Sequence, residues 1–287
     1  MSDTPYKTKV AVRNVAFHRV LRSELIKLFT LASTWWLLAI AVALTVGMGA
    51  LMGWSINQLL TNPESVGMPP EMATEFDGLS ATALAASGMQ FMQLVMVILG
   101  VLYITNEYST GSINSTLIAI PTRTVMVLAK AVNLSVTVFI TALVSLYAAT
   151  FVGWTFISQS GIDDRFTWEG LRLLAGAALA NTLIAIFALA IGLLLRSTAA
   201  GIATALGVLL VLPGVISMLP WDWATTLGEY LPFAASTWLY TFNDATPLWH
   251  WTEWGFLKGL WVTGAWAVLP LTLGIITLKL RDAHTGD

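Results

Sequence analysis

Six stretches of this 287-residue chain contain no Asp, Glu, Lys or Arg: 28–63, 78–106, 131–162, 173–195, 197–221 and 259–278. A bilayer's hydrocarbon is crossed by a helix of about 20 apolar residues, and each stretch has room for one. Charged residues make up 10% of the chain, whereas a water-soluble domain carries roughly 25% to cover its exterior. The pattern specifies an all-α polytopic membrane protein with six transmembrane helices, at about 35–56, 84–105, 131–156, 173–195, 198–219 and 257–278. They form a single domain, 35–278, between a segment 1–34 and a tail 279–287. The first span follows more than thirty residues and exceeds a signal-peptide h-region, so it is expected to be retained. A seventh charge-free stretch, 230–243, is too short to cross and reads as re-entrant or interfacial.

Basic loops resist translocation, so Lys and Arg set the orientation. With the amino terminus inside, 11 of the 14 basic residues fall inside (Lys7, Lys9, Arg13, Arg19, Arg22, Lys27, Arg123, Lys130, Arg196, Lys279 and Arg281), leaving Arg165, Arg172 and Lys258 outside. Six crossings return the carboxyl terminus to the cytoplasm. Residues 12 to 33 carry Phe17, Leu21, Leu25 and Leu28 at helical spacing, with Arg19, Arg22 and Lys27 turned elsewhere. That pattern predicts a helix lying on the inner leaflet. Between Pro220 and Trp254, Trp221, Trp223, Trp238, Trp249, Trp251 and Trp254 accompany Tyr230 and Tyr240, the composition of short helices at headgroup level.

Small residues at Ala199, Ala203 and Gly207, and at Gly255 and Gly259, favour close helix contact, within the chain or with a second copy. Gly47, Gly49 and Gly53 are assigned to packing. Pro213 and Pro270 are expected to bend the fifth and sixth spans. Neutral polar residues within the spans are Gln90, Gln93, Asn133, Thr137, Thr141, Asn181 and Thr182. Hydrogen bonding between helices accounts for such residues, and a translocation path through Gln90, Gln93, Asn133 and Asn181 is the sharper alternative.

Several chemistries lack their residues. No charge falls in the middle of an assigned span, which argues against a proton relay. His18, His250 and His284 lie apart and make no metal motif, and zero cysteines exclude disulfides and thiolate sites. Neither GxSxG nor GxxxxGK[ST] occurs, so the chain is not expected to be an enzyme or to hydrolyse ATP itself. A net charge of −2 offers no surface for nucleic acid.

The connection after the second span reads Asn106 Glu107 Tyr108 Ser109 Thr110 Gly111 Ser112 Ile113 Asn114 Ser115 Thr116 Leu117 and closes on Ile120 Pro121 Thr122 Arg123. Gly111 permits a tight turn, small polar residues suit a short exposed helix, and Pro121 stops it before the third span. Such a helix can pass a push from a soluble partner to the bundle.

Taken together, these features resemble the permease subunits of the ABC-2 family, the bacterial membrane components of ATP-binding-cassette exporters. The resemblance rests on the basic stretch leading into Ser33-Thr34-Trp35-Trp36, on Glu107-Tyr108 with Gly111 and Thr116-Leu117, on Pro121 with Arg123, and on Tyr230-Leu231-Pro232-Phe233. It implies an amino-terminal connecting helix, a cytoplasmic coupling helix within 106–123, and re-entrant helices between spans five and six. It also implies location in the bacterial cytoplasmic membrane and two partners: a second permease copy or paralogue, and an ATP-binding subunit that holds the ATP and Mg, with no cofactor in this chain. Glu107, Tyr108, Gly111, Thr116, Leu117, Pro121 and Arg123 would form the coupling surface, Glu107 anchoring the helix or meeting a basic partner residue. The cargo expected of such a neutral seam is hydrophobic or amphipathic: a drug, peptide, lipid or natural product. A non-transporting anchor, regulatory or immunity module is the alternative.

Overall fold

The computed structural model describes residues 16–61, 81–113, 123–158, 168–240 and 253–280, and among these there is helix and turn but no strand. A surface helix α1 (Phe17–Thr30) ends where Leu31 turns extended, at ψ 121°, and α2 (Ala32–Thr61) begins. Next come α3 (Ala81–Ala86), α4 (Met89–Ser109), α5 (Arg123–Ile157), α6 (Trp168–Leu195) and α7 (Thr198–Leu206). A π-helical stretch, Gly207–Val211, joins α7 to α8 (Leu212–Ser217), and α9 (Asp222–Glu229), α10 (Pro232–Thr237) and α11 (Glu253–Leu280) complete the order.

Six helical runs are long and apolar enough to cross a membrane: Ala32–Thr61, Leu84–Ser109, Arg123–Ile157, Gly170–Leu195, Thr198–Ser217 and Gly255–Leu280. The helices outrun the charge-free stretches. Thus α4 continues to Ser109 and carries Glu107, and α5 starts at Arg123 and carries Lys130. A charge ends a charge-free stretch without ending a helix when the bundle supplies it with a partner. The second and fourth spans are the most buried, and α6 packs against α4, α5 and α11.

Close approach is built from small residues, as expected in a medium where burying an apolar face against another helix gains little over lipid. A Cβ on Gly49 would lie 2.9 Å from Ala149 Cβ, and one on Gly53 would lie 2.7 Å from the Gly153 carbonyl oxygen, so α2 and α5 meet backbone to backbone. Gly259 likewise packs within the chain, against Ala235 and Trp238 of α10. Ala199 and Ala203, by contrast, stay exposed on α7, and Gly207 faces open space. The fifth span accommodates Pro213 through the π-helical stretch just before it, which absorbs the missing N–H and the ring's bulk. Pro270 sits inside α11.

Most span threonines are satisfied at home. Thr45, Thr105, Thr141, Thr150 and Thr182 each donate to the carbonyl four residues back. Thr141 and Thr182 therefore do not make the interhelical bonds that sequence alone suggests.

Between the fifth and sixth spans, α9 and α10 form two short helices. Trp221 and Trp223 stack there with centroids 5.7 Å apart, and both are exposed. The α10 helix, started by Pro232, buries Ala235 and Ser236 completely. Trp266 Nε1 donates to the Tyr230 carbonyl, and Lys258 Nζ lies 4.0 Å from the Trp238 ring and 4.7 Å from that of Tyr230, so this pair of helices is held to α11.

Candidate functional site

The helical periodicity of α1 buries Val20, Glu24 and Leu28, four residues apart, and not the full stripe of Phe17, Leu21, Leu25 and Leu28. Phe17 and Leu25 point away from the bundle, while Leu28 is buried and Leu21 packs at its edge. A carboxylate is thus turned into the protein on the face that packs.

The Glu24 carboxylate meets two cations, one from its own helix and one from α5. Lys130 Nζ of α5 lies 2.5 Å from Glu24 Oε2 and 2.9 Å from Glu107 Oε1 of α4. Lys27 Nζ of α1 lies 2.7 Å from Glu24 Oε1 and 2.9 Å from Glu107 Oε1. The four side chains close into a ring of alternating charge, Glu24, Lys27, Glu107, Lys130, that is neutral as a whole. Its inner members are nearly shut off from solvent: side-chain exposure is 0% for Glu24, 1% for Lys130 and 9% for Glu107, against 39% for Lys27. Burying an isolated ion costs several kcal/mol, so such a ring persists only because each charge has two opposite neighbours. Burial alone would lower the Lys27 pKa, but the hydrogen bonds and charges of Glu24 and Glu107 outweigh it and hold the ammonium above the ordinary lysine value.

Neutral contacts fix the ring. Lys130 Nζ rests 4.4 Å from the centroid of the Tyr103 ring, and Tyr103 Oη donates to the Glu24 carbonyl at 3.0 Å. One turn before, Asn133 Nδ2 donates to the Leu21 carbonyl at 2.9 Å. Side chains from α4 and α5 therefore grip the backbone of α1 at two points as well as its charges. Glu107 Oε2 remains buried without a hydrogen bond.

The residues expected at a coupling surface divide by position. Glu107 turns inward, and the basic residues it meets are Lys27 and Lys130 of its own chain. Tyr108 is buried beside Arg196. Gly111 adopts φ +69° just past the end of α4, the left-handed turn that its lack of a Cβ permits. Arg123 Nη1 donates to the Leu278 carbonyl in the last turn of α11. Thr116, Leu117 and Pro121 lie outside the described residues, as do 12–15, Trp249, Trp251 and the tail from 281.

The four residues weighed as a path each have their own surroundings. Gln90 is exposed while Gln93 is 1% exposed and donates to Ser236 Oγ at 3.1 Å. Asn181 donates to the Ala177 carbonyl and leaves its Oδ1 unpartnered, and Asn133 belongs to the α1 grip. An apolar groove of about 360 Å³ on the outer face of α11, lined by Leu260, Trp261, Gly264 and Val268, contains none of them.

Glu24, Lys27, Lys130 and Tyr103 are the functional candidates that sequence reading passed over. A signal was present: Glu24 is the sole acid from 4 to 63 and Glu107 the sole acid from 78 to 162. Two solitary carboxylates beside apolar helices need cations, and Lys27, one helical turn after Glu24, and Lys130, near the start of the next apolar stretch, could supply them. Compared with known proteins, the chain matches no protein-family model, and a search of curated proteins finds no match.

Proposed function

We propose that this chain is the membrane-spanning subunit of an ATP-driven exporter of the ABC-2 type, its ATP hydrolysed by a separate subunit that binds the ATP and Mg. The observation that carries the reading is the buried charge ring. It joins a peripheral amphipathic helix, α1, to the last turn of the second span and to the beginning of the third, the two helix ends that flank residues 106–123. A soluble partner pressing on 106–123 or on α1 would move all three elements together, since separating any one strands a charge in a site closed to water.

In this reading the ring lies at the cytoplasmic face, as the division of Lys and Arg across the loops suggests, and both termini are inside. The exposed small residues Ala199 and Ala203 on α7 support a second permease copy or paralogue packing there. The neutral side chains of the span interiors suit an apolar or amphipathic cargo.

The test is purification of the tagged chain from its own host in mild detergent, followed by ATPase and transport assays in liposomes. An ATP-binding-cassette subunit in stoichiometric amount, with ATP-dependent export that Glu107→Gln uncouples from hydrolysis, is the expected result. A partner ATPase held without any export would instead favour an anchoring or regulatory module. No ATPase at all, under conditions that preserve other membrane complexes, overturns the proposal.

A further inference from the structure

The charge ring accounts for the inward side of α1, and the side turned away from the bundle has a composition of its own. Arg19, Arg22 and Ile26 follow one another at helical spacing, and all three are exposed, Ile26 by 55%. Leu25, also exposed, and the half-buried Phe29 lie beside them. Neither arginine has an ion-pair partner among the described residues. The local acid does not neutralise them: Glu24, the sole acid from 4 to 63, is turned to the opposite face, closed to solvent and held by two lysines. The outward face of α1 therefore carries two full positive charges and no negative one.

Charge and apolar surface are separated along the helix axis. The arginines occupy its first half, while Leu25, Ile26 and Phe29 occupy the second. The apolar surface then continues past Leu31 into α2: Trp35 Nε1 donates to the Phe29 carbonyl at 2.9 Å, the two rings lie 5.4 Å apart, and Trp35 and Trp36 are both exposed. Since α2 is one of the helices apolar enough to cross a membrane, exposed indoles in its first turns sit where hydrocarbon gives way to headgroups. The carboxyl half of α1 adjoins that boundary, and Arg22 and Arg19 stand one and two turns before Ile26. An arginine so placed keeps its stem on apolar surface and its guanidinium among phosphates.

We propose that the outward face of α1 docks on an anionic leaflet, with Arg19 and Arg22 on the headgroup phosphates of lipids such as phosphatidylglycerol. Two guanidinium groups with no acid on their face favour a surface of net negative charge over a zwitterionic one. The occupant is a leaflet and not a soluble acidic partner because Leu25 and Ile26 share the face, stay exposed, and run into the exposed indoles of a membrane-crossing helix. The inward side of the same helix is pinned by the ring to α4 and α5, so the leaflet's hold on α1 is also a hold on that corner. The inference needs only α2 to cross a membrane, and stands apart from the exporter reading.

The experiment is hydrogen exchange of the α1 amides, Phe17–Thr30, in the full chain held in nanodiscs of phosphatidylcholine alone or mixed with phosphatidylglycerol. At low salt the mixed discs should slow exchange by about 25-fold, about fivefold for each arginine at an anionic surface, and high salt should erase most of the difference. The double variant Arg19→Gln with Arg22→Gln should exchange alike in both discs while α6 keeps its wild-type protection; Arg19→Lys with Arg22→Lys, which retains the charge, should keep most of the slowing. Glycerol phosphate added to phosphatidylcholine discs should give no protection. The wild-type comparison of the two discs needs no variant and carries the test by itself if the glutamine pair does not purify. Equal exchange in both discs, slowing that survives the glutamine pair, or protection by free glycerol phosphate as strong as by the lipid overturns the proposal.

Discussion

Consider replacing Lys130 by Met, a side chain of similar length without charge. The ring then keeps both carboxylates and one cation, Lys27, and its net charge goes from zero to −1. Glu24, fully buried, loses the ammonium 2.5 Å from its Oε2, and Glu107 loses one of the two ammoniums on its Oε1. Breaking a buried pair from one side costs about 3 to 5 kcal/mol. For a chain of this size each kcal/mol moves the melting temperature by roughly 2 to 4 °C, so the expected fall is roughly 6 to 20 °C. Glu107→Gln should cost a similar amount by the opposite imbalance. Lys27→Met should cost much less, because that ammonium is 39% exposed and both carboxylates keep Lys130. The double variant Glu107→Gln with Lys130→Met restores neutrality, so its loss should fall short of the sum of the singles by about 1 to 3 kcal/mol. The assay is the fraction of detergent-solubilised protein that stays monodisperse on size exclusion after heating through a temperature series. Equal losses for Lys27→Met and Lys130→Met, or strict additivity in the double variant, would refute the picture of a closed, solvent-excluded ring.

Three further outcomes follow from other contacts. Gly53→Val places methyl groups where even a Cβ would stand 2.7 Å from the Gly153 carbonyl oxygen, so α2 and α5 must part, at a cost of about 1 to 3 kcal/mol in the same heating assay. Gln93→Leu strips Ser236 of its donor and frees α10 from α4; protease accessibility of the 218–240 segment should rise while the spans stay protected. The folded-state pKa of Lys27 is raised above 10.5, so its contribution is complete below the unfolded value and is lost only as pH climbs beyond that. The difference in melting temperature between wild type and Lys27→Met should therefore hold constant from neutral pH to about 10 and shrink above it; a decline beginning near neutrality would contradict the pairing.

The spans were legible because lipid leaves a helix one economical composition, long and free of charge. The ring was not, for the same reason: each charge marked the edge of a stretch, so Glu107 and Lys130 were read as boundaries when both are interior to their helices. The stripe of α1 was assigned to the leaflet, and the face that packs on the bundle was left unread. In water, an apolar stripe points to protein; beside a membrane, Phe17 and Leu25 find an apolar medium by pointing away from the bundle, and the face that packs can carry Glu24. Gly111 was read correctly as a turn because its chemistry is local. The π-helical stretch before Pro213 depends on how one helix relieves one ring, and no periodicity reports it.

The two ends of the bundle are fastened by different physics, and this bears on how force would travel. At the α1 end, displacement by even a few ångströms strands buried charges, so α1 and the adjoining ends of α4 and α5 behave as one rigid corner or come apart entirely. At the α10 end the fastening is a neutral amide on a hydroxyl, which can rotate and re-pair at small cost. An exporter built this way would keep the corner intact through its cycle and flex between α4 and α10. Since the chain has no cysteine, the distinction is open to paired substitutions. A short bifunctional reagent joining Leu21→Cys to Asn133→Cys should leave ATP-dependent export near the uncross-linked level, because that contact does not open. Joining Gln93→Cys to Ser236→Cys should abolish it and leave the protein's melting temperature raised. Arrest by the first cross-link, or export unimpeded by the second, would place the moving joint at the charge ring instead.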